Sequence, residues 1–233
     1  MKLLITLLFV LSISELHAQT FEISAQANGG FSHYAGKSTV NNTFLNAGDP
    51  ANHSGYANGD GNSPAFTYGA DVQLQYTFKF NLIMGVQTGY EVISSHTNIN
   101  GVYDGANGEV TATGYTSDHY GYININPYLG FRFHINNVRL DLLPGLDISL
   151  GESTKSTVDV KATDGTYYNK PTNNINNTGD EFRVRFGLAA YYKKFGITAS
   201  HSRGINHFAQ FADAYIPPEH MEVFRLGISY KIN

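Results

Sequence analysis

The stretch FTYGADVQLQYTFKFNLIMGVQTGYEV, residues 66–92, alternates apolar and polar residues, pauses near 79–81, and alternates again. Period-two alternation places successive side chains on opposite faces of a strand. One face carries Phe66, Tyr68, Ala70, Val72, Leu74, Tyr76 and Phe78, and the other carries Thr67, Gly69, Asp71, Gln73 and Gln75. After the pause, Leu82, Met84, Val86, Tyr90 and Val92 oppose Gly85, Gln87, Gly89 and Glu91. Such a hairpin fits a soluble sandwich with its apolar face in a core, or a barrel with that face against lipid.

The rest of the chain decides between them. Similar alternation recurs from Phe21, Ile123, Val138, Phe182, Phe195 (weaker here) and Phe224, making eight strands in all. An even number is what a closed antiparallel barrel with both ends of the ring on one side requires. The links alternate in length. Segments 79–81, 134–137 and 192–194 are tight turns, whereas 35–65, 94–119, 151–181 and 205–221 are long and rich in Asn, Gly, Ser, Thr and Asp. Loops above about 15 residues are uncommon inside compact soluble domains, but short periplasmic turns with long external loops are the habit of outer-membrane barrels. The expected fold is therefore all-β: an eight-stranded antiparallel up-and-down transmembrane β-barrel with long outer loops and short periplasmic turns. Tyr68, Tyr76, Tyr90 and Tyr230 would form part of an aromatic girdle at headgroup level.

Composition agrees with a Gly- and Tyr-rich β protein. Only 15% of the 233 residues are charged, with 16 Tyr, 15 Phe, 24 Gly and no Trp. The net charge of −4, with no basic run, argues against a nucleic-acid partner. The N-terminus reads MKLLITLLFVLSISELHAQ, with Lys2 before an apolar run over 3–13. That run is too short for a membrane-spanning helix, which needs about 20 apolar residues, and it reads as a secretory signal over 1–18 cleaved after Ala18. The barrel domain then covers 19–233. The absence of Cys removes disulfides and a lipobox.

Three stretches carry a family resemblance. YININPYLGFRF (122–133) resembles the Pro-containing strand of the PorT-like outer-membrane barrels typical of the Bacteroidota, which are built like eight-stranded OmpA/OmpX-type barrels. LLPGL (142–146) resembles their next strand, and ITASHSRGI (197–205) the strand before their last loop. The resemblance implies an outer-membrane β-barrel and no single activity.

The alternation places Glu22, Asp71, Glu91, Asp141 and Asp147 on the inward face with Arg132, Arg139, Arg183, Arg185 and Arg225. In an eight-stranded barrel side chains nearly fill the interior, and buried charges must pair, so these ten are expected to form a structural charge network; the sharper alternative is a gate or proton path. The histidines invite an enzymatic alternative: His201 and Ser202 meet the outer rim, with His207, Glu219 and His220 in the next loop, as in lipid A acyltransferases and deacylases. Residue 203 is Arg where the deacylase pattern has Ser. His33, His53, His96 and His119 fall at strand ends or in loops, and no His pair has the spacing that fixes a metal site. The clusters NGDGN (58–62) and DGANGE (104–109) offer oxygen ligands for Ca²⁺ but fit ordinary turns.

The expected protein is an integral outer-membrane barrel without catalytic residues, bound metal or cofactor. It is expected to be monomeric in outer-membrane lipid and to serve a surface-binding, envelope-structural or secretion-accessory role, meeting an envelope protein or surface ligand through its loops. A lipid-modifying enzyme and a narrow solute channel are the alternatives.

Overall fold

The computed structural model describes residues 20–37, 39–47, 54–104, 108–169, 172–174, 179–205 and 219–233. The leader over 1–18 and its cleavage after Ala18 lie outside the described residues, as do His53, His207 and most of the link 205–221. Twelve strands are found among the described residues: β1 (Thr20–Gly36), β2 (Asn42–Ala47), β3 (Gly55–Ala57), β4 (Ala65–Thr77), β5 (Leu82–Asp104), β6 (Gly108–Ile135), β7 (Val138–Ala162), β8 (Tyr167–Tyr168), β9 (Thr172–Asn174), β10 (Glu181–Tyr192), β11 (Phe195–Gly204) and β12 (Glu219–Lys231).

Eight of these close a ring. Antiparallel pairing runs β1, β4, β5, β6, β7, β10, β11, β12 and back to β1, where Ser24 faces Lys231 and Gly36 faces Glu219. The ring has no edge, so every rung of backbone can be satisfied without water. Each tight turn holds one residue with positive φ: Asn81 at 61°, Asn136 at 54° and Lys193 at 56°. Asn tolerates this left-handed region; Lys193 adopts it with its ammonium 5.5 Å from the centre of the Tyr192 ring.

The outward face is apolar along the ring. Phe21, Phe31, Leu74, Leu129, Val184, Leu226 and Ile228 are among its exposed residues. The ten-residue step from Phe21 to Phe31 on β1 is about 33 Å of extended chain, which at a tilt of about 45° rises roughly 24 Å, the height of a lipid-facing band. Aromatic pairs mark both margins. Phe31 and Phe66 meet edge-on at 6.4 Å and Phe66 stacks on Tyr68 at 6.2 Å; at the other margin Tyr76 meets Phe78 at 4.9 Å and Phe195 meets Tyr230 at 5.2 Å.

Two sequence expectations need correction. The segment 94–119 is not a long irregular loop: β5 and β6 stay paired from Leu82 and Phe131 up to Asp104 and Gly108, with register shifts at Ile99/Gly101. Nor is the whole of 151–181 a loop, because β7 follows β6 to Ala162 opposite Ala112. These strands rise above the ring as a three-stranded sheet, with β2 added in parallel to β5 and with β8 and β9 on β7. The additions cover edges that would otherwise invite further pairing. Leu45, Ile99, Val102, Val158, Val160 and Tyr168 form a hydrophobic core there, outside the lipid band. The interior also holds apolar side chains. Ile83, Tyr128, Leu143 and Tyr191 pack together toward the turn end, and Tyr34, Ile93, Tyr122, Met221 and Val223 pack across the opposite end.

Candidate functional site

Pro127 on β6 lacks the N–H that its position opposite Leu146 would use, and the Asn126 side chain donates to the Leu146 carbonyl at 2.7 Å instead. Asn126 shares the inward parity of Tyr128 and Arg132 and is part of the lumen wall. On that wall the inward charges form two layers.

Nearer the turns, Glu22 accepts from Arg132 Nη2 at 2.7 Å, Arg139 Nη1 at 3.0 Å, Lys231 Nζ at 2.6 Å and Gln75 Nε2 at 3.2 Å. Arg132 also grips both oxygens of Asp141, at 2.7 Å through Nε and 2.8 Å through Nη2. Toward the outer end, Glu91 receives both Nε and Nη2 of Arg225 and lies 3.3 Å from Arg183 Nη2. Asp147 sits among Arg183, Arg185 and Arg225 at 3.3–3.5 Å, and Arg183 Nη1 donates to Glu181 at 2.8 Å. Ser149 and Ser202 hydroxyls accept from Arg183 and Arg225, both at 2.7 Å. Between the layers, Gln73 Oε1 accepts from Gln26 and Gln87, and Gln73 donates to Gln75.

All ten charged residues expected to face inward point into this interior. Nine are joined in ion pairs; among the described residues Asp71 makes none, and it accepts from Asn28 Nδ2 at 3.3 Å. Sequence reasoning omitted Glu181 and Lys231 from the set. Both share the parity of residues it included, Arg183 and Arg185 for one and Arg225 for the other, and that parity was the available signal.

The histidines lie elsewhere. His201 is on the outward wall, 3.7 Å from Glu222, while Ser202, the next residue of the strand, is buried in the lumen against Arg225. His220 approaches Glu222 at 3.2 Å. Burial raises the Glu222 carboxyl, but the hydrogen bond with His220 and the charges of His201, His33 and Arg203 outweigh it, leaving the pKa below its ordinary value. Glu219 faces inward, away from His220. His96 meets the Ser117 hydroxyl at 3.0 Å and His119 meets that of Ser94 at 2.8 Å. Burial lowers the pKa of His119, aided by Lys155 and opposed by Asp118.

Among the described residues no group of three or more His, Asp or Glu side chains is arranged to hold a metal ion. Segment 58–62 acts as a turn: Asp60 and Gly61 carbonyls accept from Val40 and Tyr34, and Asn62 donates back to Val40. Residues 105–107 of the second acidic cluster lie outside the described residues.

Above the lipid band, β3 with Tyr56 and the following turn with Asp60 face β6 and β7 across a cavity of about 460 Å³. Thr116, Asp118, Tyr120 and Ser156 complete its polar wall. Asp118 is held by the Ser156 hydroxyl, and burial raises its pKa above the ordinary carboxylate value despite that bond.

A closed eight-stranded ring, greasy outside and ion-paired inside, is the architecture of an integral outer-membrane β-barrel protein. No protein-family model matches the chain, and no curated protein matches it. Among solved structures it is similar to Neisserial surface protein A, at 9% identity and a TM-score of 0.39 over 90% of this chain and 97% of that one. It is also similar to Ail, the attachment invasion locus protein of Yersinia pestis, at 14% identity and a TM-score of 0.34 over 92% of this chain and 99% of that one.

Proposed function

We propose that this protein is a non-catalytic surface binder, a sealed barrel that anchors an external β-sheet whose pocket takes a hydroxyl-rich ligand such as a saccharide. The observation that carries the reading is the pocket itself. It is walled by hydroxyls, two carboxylates and the rings of Tyr56 and Tyr120, on a sheet with its own hydrophobic core. Sugar hydroxyls pair with carboxylates, and aromatic rings cover the apolar face of a sugar. A rigid sheet is a better mount for such contacts than a loop. The separation of His201 from Ser202 by the barrel wall supports the non-catalytic half of the proposal.

Membership of the PorT-like family is part of the same reading. The three stretches that carry the resemblance fall in β6, β7 and β11, and two of them are neighbours, with Phe131 opposite Leu142 and Tyr128 opposite Gly145.

The test is retention of the detergent-solubilised barrel on immobilised saccharides. The wild type is expected to be retained, and Tyr56→Ala with Asp60→Asn to abolish retention while the barrel still shifts on a gel when boiled. If no saccharide retains the wild type, and cells expressing it show an altered lipid A profile that His201→Ala restores, the enzymatic alternative takes its place.

A further inference from the structure

The sheet that rises above the ring has two faces, and the external pocket uses one of them. Thr116, Asp118, Tyr120 and Ser156 line that pocket. The alternate residues, Ser117, His119 and Gly121 on β6 with Ser153 and Lys155 on β7, lie on the other face. There they line a separate groove of about 680 Å³ on the outer surface of the barrel.

The groove has two halves. The lower one is apolar, formed by Phe66 and Tyr68 of the outer aromatic margin with Tyr90 and Val92. Val92 pairs with both Tyr68 and Gly121. The missing side chain of Gly121 makes room for the Tyr90 hydroxyl, which a Cβ there would meet at 2.2 Å. One strand repeat farther out, about 7 Å along the chain, the wall turns polar. Ser94, His119 and Lys155 face one another in a row across β5, β6 and β7, and His96 faces Ser117 above them. Ser94 is only 2% exposed, and its hydroxyl holds His119 Nδ1 at 2.8 Å; the Ser117 hydroxyl holds His96 Nδ1 at 3.0 Å. In both rings Nε2 is then the nitrogen offered to the groove.

Among the described residues no carboxylate lines this groove. Asp118 is turned to the opposite face by the Ser156 hydroxyl, and Glu152, exposed at the bulge in β7, is outside the lining. Among the described residues Lys155 joins no ion pair. Apolar below and cationic above, at the level where headgroups lie, the groove has the polarity of an amphiphile with an anionic head. It sits at the end of the barrel opposite the tight turns, which is the side of the outer leaflet.

We propose that the groove holds one phosphorylated glycolipid of the outer leaflet, of the lipid A type. An acyl chain lies over Phe66, Tyr68 and Tyr90, the phosphate meets Lys155, His119 and His96, and the Ser117 and Ser153 hydroxyls meet the sugar. To test this, the purified barrel in neutral detergent is mixed with lipid A, with lipid A stripped of phosphate, or with phosphatidylglycerol, and bound lipid is counted by native mass spectrometry. The wild type should retain one lipid A and little of the other two, a comparison that needs no variant to fold. Lys155→Glu should weaken retention about tenfold. Lys161→Glu makes the same charge change on the same face of β7, about 20 Å farther out, and should leave retention unchanged. Tyr56→Ala with Asp60→Asn, in the external pocket, should also retain lipid A as the wild type does, so the result stands apart from any saccharide bound there. No retention of lipid A, equal retention of the three lipids, retention unchanged in Lys155→Glu, or an equal loss in Lys161→Glu would overturn the proposal.

Discussion

Removing Arg132 is the sharpest perturbation of the inner layer. Its guanidinium is 3% exposed and spans two carboxylates, bidentate to Asp141 and again to Glu22. In Arg132→Met, Glu22 keeps Arg139 and Lys231, but Asp141, fully buried, keeps among the described side chains only Gln75 Nε2 at 3.3 Å. Leaving a buried charge without its partner costs about 3–5 kcal/mol. With a urea slope of about 2 kcal/mol per molar, the unfolding midpoint should fall by roughly 2 M. Arg139→Met is the control: its side chain is 28% exposed and Glu22 retains two cations without it, so the loss should be about 1 kcal/mol or less. The double variant Arg132→Met with Asp141→Leu removes both charges and should recover to within about 1 kcal/mol of the wild type. The chain has no Trp, so unfolding is followed by far-ultraviolet circular dichroism and by gel mobility of unboiled samples. A single variant costing less than Arg139→Met, or a double variant as unstable as the sum of the two singles, would refute the view that these charges hold the barrel together.

Planar-bilayer recordings should show little steady conductance, because the apolar layers around Tyr191 and around Tyr122 both cross the lumen; a large ohmic pore would contradict the packing. Asp118 binds a proton more readily folded than unfolded, since burial raises its pKa. Its contribution to stability therefore falls as pH rises from the ordinary carboxylate range through the folded value. Asp118→Asn should remove that part of the pH dependence and should match or exceed the wild-type midpoint at neutral pH; a lower midpoint there would show that the charge is needed. A methyl group on Gly85 would meet Tyr128 Oη at 2.2 Å and the Leu74 carbonyl at 2.6 Å, so Gly85→Ala should cost roughly 1–3 kcal/mol. Gly179→Ala, with nothing within 4 Å, should stay within about 0.5 kcal/mol of the wild type. Equal midpoints for the two would count against Tyr128 being packed as described.

The ring was legible because lipid and lumen impose opposite polarities on alternate residues, and Phe66 to Tyr76 display that contrast almost without error. The contrast ends where lipid ends. Above the band, His96, Asn98, Thr113 and Ser117 lie on the outer face of β5 and β6, which becomes polar, while Ile99, Val102 and Ala112 on the other face are interspersed with Ser and Thr, so the alternation fades although backbone pairing continues. A polar Asn- and Gly-rich sequence was therefore read as loop when it was strand. A bulge in β7 opposite Gly121/Tyr122, where Glu152 is left without a pairing partner, compounded this by moving the inward side from Asp147 and Ser149 to Val158 and Val160. The inward charges were visible from parity alone, but which carboxylate meets which guanidinium was not. Lys231 and Glu22 are 209 residues apart in the chain and meet only because the ring closes.

That closure governs when this protein can exist at all. Of the ring strands β1 comes first in the chain and β12 last, yet each supplies the other's edge, from Ser24 with Lys231 to Gly36 with Glu219. Ile232 N–H adds a bond to the Ile23 carbonyl at 2.8 Å, and Asn233 accepts from the Ile23 N–H at 2.7 Å. Until β12 is in place, the side of β1 away from β4 stays a bare edge and Glu22 lacks Lys231. The ring can close only once β12 has reached β1, and loss of β12 would leave an open sheet.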